Sequence, residues 1–75
     1  MAGQDKTLVR LGEALRERRT ELEISQYELA RRCKMHRTFV AGVERGERNI
    51  SILTLQRIVE PLEASLEEIF KQAGL

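Results

Sequence analysis

Apolar residues recur along this chain at helical spacing. Leu8, Leu11, Leu15 and Leu22 fall on one stripe with charged residues between them, the pattern of a helix that buries a single face. This predicts a first helix from about Lys6 to Leu22, with Gly12 inside it. A glycine there costs ~1 kcal/mol against alanine, so close helix–helix packing is the expected reason for its presence. Ser25-Gln26-Tyr27-Glu28 has the form of a capping box. In such a box Ser25 accepts from the third helical N–H and Glu28 reaches back to the cap's own N–H. The short helix that follows reaches about Cys33, with Leu29, Ala30 and Cys33 inward and Cys33 a core filler.

Lys34-Met35-His36 predicts a tight break, with His36 capping a third helix from Arg37 to Arg45. Val40 and Val43 face inward, and Gly46 supplies a left-handed helix end. The loop Glu47-Arg48-Asn49-Ile50 leads to Ser51, the expected N-cap of a fourth helix with Leu55, Ile58, Val59 and Leu62 on its apolar face. Pro61 removes one backbone donor, so that helix is expected to kink or stop near Glu60. Ser65 to Glu68 form a second capping box. A fifth helix carries Leu66, Ile69 and Phe70, and Gly74 closes it. The predicted class is all-α, five short helices with no strand.

Length limits what such a chain can do. Its 75 residues, with one proline and no low-complexity tract, predict one domain over 1–75. A domain of this size buries roughly 60–65% of its unfolded surface, and a second copy of the chain is the expected reinforcement. One cysteine excludes an internal disulfide, and one cysteine with one histidine cannot complete a four-ligand zinc site. No metal or cofactor is therefore expected. No apolar run approaches the ~18–20 residues of a membrane span. The start, Met1 to Lys6, lacks the apolar core of a secretory leader. A cytoplasmic location with no membrane partner is the expectation. No nucleophile–base cluster and no phosphate-cradling glycine loop stands out, so an enzyme is not expected.

Charge changes the picture further. The formal net charge is only +1, but residues 1–24 balance to zero, 25–49 to +3 and 50–75 to −2. The excess lies on the two short helices and the loop after them. A solvated face would account for charge alone. Its overlap with a helix–tight turn–helix unit points instead to a shape that docks into a DNA major groove.

Ser25-Gln26-x-x-Leu29-Ala30, followed by Arg37-Thr38 and then Glu44-Arg45-Gly46, resembles the Cro/C1-type (XRE) helix-turn-helix regulators. The run from His36 to Ser51 is similar to restriction–modification controller proteins, and the likeness extends over roughly residues 8–72. It implies a five-helix, lambda-repressor-like domain with the helix-turn-helix at the second and third helices. It also implies that Gln26 meets a phosphate at a helix start, that Arg37 and Thr38 read base edges, and that Arg48 and Asn49 make further DNA contacts. A buried ion pair between Arg19 and Glu44 belongs to the same pattern. Controllers often carry tyrosine at the place of Phe39 and serine at that of Ala41, and Pro61 replaces a plain helical residue. The DNA site is therefore expected to differ from those of relatives.

The residue types suit that task. An arginine fork matches O6 and N7 of guanine, and a good bidentate pair contributes ~1–3 kcal/mol of discrimination. Arg37, Thr38 and Arg48 are the candidate base readers. Gln26, Lys34, Arg45 and Asn49 are the candidate phosphate contacts. One copy reads few base pairs, so a homodimer on a near-palindrome is expected, with Leu62, Leu66, Ile69 and Phe70 as interface candidates and reading helices ~34 Å apart. The partners expected are a double-stranded DNA operator and a second copy, with no small-molecule effector. The acidic residues Glu63, Glu67 and Glu68 are candidates for a contact with RNA polymerase, or simply solubilising surface. The leading function is a transcriptional regulator that controls its own gene and a restriction gene. A phage-type repressor or an antitoxin of the same fold, and a protein-interaction module that never touches DNA, remain the alternatives.

Overall fold

Short polar side chains start four of the five helices in the computed structural model, which describes residues 5–75. Asp5 accepts from the Thr7 N–H and opens α1 (Lys6–Glu21). Ser25 accepts from Glu28 and opens α2 (Gln26–Cys33). Ser51 and Ser65 do the same for α4 (Ile52–Val59) and α5 (Leu66–Ala73). In each case an otherwise orphaned helical N–H gains a partner. The exception is α3 (Arg37–Glu44): His36 occupies the cap position, but its side chain makes no cap hydrogen bond. The all-α fold is as expected, with α1 and α3 each ending one residue early.

The two capping boxes differ. At α5 the box is complete, because Glu68 Oε1 accepts from the Ser65 N–H at 2.8 Å. At α2 only the serine half forms. Glu28 is drawn the other way, accepting from Arg31 Nη2 at 2.6 Å and Arg32 Nε at 2.7 Å. Two guanidiniums one turn along outcompete a single neutral N–H.

α1 lies at the centre, packed on α3 and α5, while α2 packs on α3 and α4. The most deeply buried large side chains are Leu15, Leu29, Ile58, Leu62, Ile69 and Val40. Gly12 is needed where α1 crosses α3: a Cβ there would lie 2.4 Å from the Glu44 carbonyl oxygen. Cys33 fills core space as expected, its thiol pKa pushed up by burial.

Pro61 ends α4 at Val59, and the chain continues as one 3-10 turn, Glu60–Leu62. That turn swings Leu62 into the core, and Ile69 enters from α5; both are 0% exposed. This corrects the expectation that Leu62 and Ile69 form a twofold interface. They have no free surface, because the small core needs both to close over α1. The carbonyls freed near the turn are met by Arg18, which donates to Leu62 O at 2.8 Å and Glu63 O at 2.9 Å. Arg57 donates to Cys33 O in the same way at the end of α2.

Candidate nucleic-acid interface

Lys34 makes the turn between α2 and α3. It sits in the left-handed region at φ +60°, and the Met35 N–H reaches back to Ala30 O at 2.9 Å. This reversal stands α3 across the end of α2 and leaves the first turn of α3 facing solvent. Arg37 and Thr38 are both exposed there, and neither side chain has a partner among the described residues.

Charge on this face is sorted by pairing. Residues 25–49 hold three carboxylates, and all three are engaged. Glu28 holds Arg31 and Arg32, and those hydrogen bonds lower its carboxyl pKa to about 2. Glu47 holds Arg45 at 3.1 Å. Glu44 is met by Arg19 from α1, outside the segment. Lys34, Arg37 and Arg48 therefore keep positive charge with no carboxylate partner among the described residues. Arg48 lies instead with its guanidinium carbon 5.5 Å from the Phe39 ring centroid, a cation–π distance. Asn49 is exposed beside it.

Behind this face a polar network fixes α3. Arg19 Nε donates to Glu44 Oε2 at 2.7 Å and Nη2 to Oε1 at 3.0 Å, while Nη1 donates to Ile24 O at 2.8 Å. The ion pair that the resemblance implied is present, with side chains only 11% and 3% exposed. Sequence reasoning missed its third member. Gln26 Nε2 donates to Glu44 Oε1 at 2.9 Å, so the amide placed at a phosphate already spends one hydrogen inside the protein. Sequence reasoning also missed that Glu28 quenches two cations of the excess, although its spacing of three and four from Arg31 and Arg32 signals it. The Phe39–Arg48 contact joins residues nine apart across a loop, and no periodicity reports it.

The structure thus leaves Lys34, Arg37, Thr38, Arg48 and Asn49 exposed on the α2–α3 pair and the loop after it, with Arg48 joined to α3 through Phe39. Arg45 stands at the C-terminal end of α3 in an ion pair with Glu47, and Gln26 is tied to the Arg19–Glu44 network. A helix-turn-helix family model matches residues 15–69 of the chain. The chain belongs to the helix-turn-helix family. Within that family it is similar to the control protein C.SmaI of Serratia marcescens, 35% identical over 65 residues that span 87% of this chain and 77% of the relative. It is also similar to the restriction–modification controller protein C.AhdI of Aeromonas hydrophila. That structure is 40% identical and superposes with a TM-score of 0.81 over 84% of this chain and 96% of the other. A third helix-turn-helix relative, C.Esp1396I, was solved bound to a 25-base-pair operator site. It is 30% identical, with a TM-score of 0.80 over 89% of this chain and 88% of the other. Among the described residues no helix is long and apolar enough to cross a membrane.

Proposed function

We propose that this chain is a sequence-specific DNA-binding regulator that works as a homodimer on a near-palindromic operator and controls a restriction–modification system. The observation that carries this reading is the sorted charge of the α2–α3 face. Every carboxylate of residues 25–49 is engaged, while Lys34, Arg37 and Arg48 have no carboxylate partner among the described residues, and Arg37 stands on the exposed first turn of α3. Its controller relatives, C.SmaI and C.AhdI among them, support the assignment to that group.

In this reading residues 1–75 act as one unit. Arg37 and Thr38 enter the major groove with Arg48 and contact base edges. Lys34 and Asn49 contact phosphate, as does Gln26 through the amide hydrogen that Glu44 leaves free. Arg45 contacts phosphate only after leaving Glu47. Leu66 and Phe70, half-buried on α5, are the interface candidates that keep surface for a second copy. Glu63, Glu67 and Glu68 are exposed and are offered for polymerase contact. The protein acts in the cytoplasm and uses no effector: the concentration of the chain sets dimer and operator occupancy.

The test is competition at ~0.15 M salt, where the non-specific phosphate contribution is weak. Duplexes tiled across the DNA upstream of the chain's own gene compete against a shuffled duplex. One tile is expected to bind at least ~10³-fold more tightly than the shuffled DNA, the low end for specific binders. Equal binding of every tile would refute the proposal.

A further inference from the structure

Arg48 is held rather than loose, and the holding is built from two residues of α3. The chain leaves α3 through a Schellman turn. Gly46 takes φ +75°, its N–H bonds Val43 O at 3.0 Å, and the Glu47 N–H bonds Gly42 O at 2.9 Å. This doubles the chain back along α3, so Arg48 passes over the helix it has just left. Its stem crosses Gly42. A Cβ on Gly42 would lie 3.0 Å from Arg48 Cγ, 3.4 Å from Nε and 3.8 Å from Cδ, with no closer neighbour from elsewhere. Its guanidinium then reaches the Phe39 ring, 5.5 Å from the centroid. Phe39 is itself packed against the core, so the platform is fixed. Phe39 and Gly42, three residues apart, present one helix face, one turn from Arg37 and Thr38.

We infer that Phe39 and Gly42 form a seat that orders Arg48 over the exposed face of α3 before DNA is met, which makes both positioning residues for the contact Arg48 makes. The inference rests on the DNA-reading function proposed above. Arginine is among the side chains most costly to order. A seat formed in the free protein removes that cost from the binding step. Among the described residues Lys34 and Arg37 have no comparable platform, so the preorganisation is specific to the loop arginine.

The experiment uses Gly42→Ala, Phe39→Leu and Phe39→Tyr, each alone and with Arg48→Ala. The probe is the duplex that the wild-type chain selects from a random pool. Two readouts are taken: affinity, and the proton shifts of the Arg48 δ-methylene in the free protein. Gly42→Ala places a better helix former in α3, so its melting temperature should not fall. Gly42→Ala and Phe39→Leu should each weaken binding by roughly 3–10-fold, the range for ordering one long side chain. Neither should cause further loss when Arg48 is already alanine. Phe39→Tyr keeps the ring and should keep the affinity. The upfield ring-current shift at Arg48 should vanish in Phe39→Leu and persist in Phe39→Tyr. Equal losses in both backgrounds, no loss from either single change, or an unshifted Arg48 in the wild-type chain would overturn the seat. If the wild-type chain selects no duplex, the DNA-reading function fails, and the Arg48 shifts still decide whether the seat exists.

Discussion

Glu44 is the one buried charged side chain among the described residues. It accepts two hydrogen bonds from Arg19 and one from Gln26 while being 6% exposed, at the opposite end of α3 from Arg37 and Thr38. Removing one partner of such a pair strands the other charge in a poorly hydrated place. Glu44→Ala is therefore expected to destabilise the fold by about 3–5 kcal/mol, checked by urea denaturation. A loss below about 1 kcal/mol would mean that Arg19 finds water instead. The family resemblance in the sequence pointed to Arg19 and Glu44. It did not point to Gln26 as their partner, because an amide at a helix start suits a phosphate and a carboxylate equally. Only the packing of α2 on α3 brings that carboxylate within reach. Gly12 was better marked, since its cost inside a helix demands a close approach, and the Glu44 carbonyl supplies one.

At the scale of elements, helix starts were easier to place than what the capping residues do. Serine at 25, 51 and 65 marks three starts, and each serine accepts the expected N–H. Glu28 was expected to complete the α2 box but binds Arg31 and Arg32 instead. That exchange has a pH signature. The arginines lower the Glu28 carboxyl to a pKa of about 2, below the ~4.3 of a free glutamate. A depressed carboxyl contributes stability that is present in full above its unfolded value and is lost as pH falls toward its folded value. The stability difference between wild type and Glu28→Gln should therefore be constant near neutrality and shrink between about pH 4.5 and 2. Denaturation midpoints across that range check it. A carboxyl carbon shift for Glu28 that titrates near 4.3 would contradict the pairing.

For the whole molecule, helical periodicity locates apolar faces but does not say what covers them. Leu62, Leu66, Ile69 and Phe70 share one pattern in the sequence. The structure divides them, with Leu62 and Ile69 closing the core and Leu66 and Phe70 half-buried at its edge. The division follows from Pro61, whose 3-10 turn redirects Leu62, and from the limited volume that α1 and α5 enclose. Charge shows the same limit. The sequence excess on residues 25–49 was real, but pairing narrows it to Lys34, Arg37 and Arg48. A dimer presenting two such faces that neutralises ~6–8 phosphates would lose affinity with salt at a logarithmic slope of about −5 to −7. The most direct measurement is selection of duplexes from a random DNA pool by the purified chain at ~0.1–0.2 M salt, beside an Arg37→Ala control. The expected result is a two-part near-palindrome with half-sites about one DNA turn apart, relaxed or lost in the control. A pool that stays random, or one enriched equally by Arg37→Ala, would contradict the claim that the first turn of α3 reads DNA.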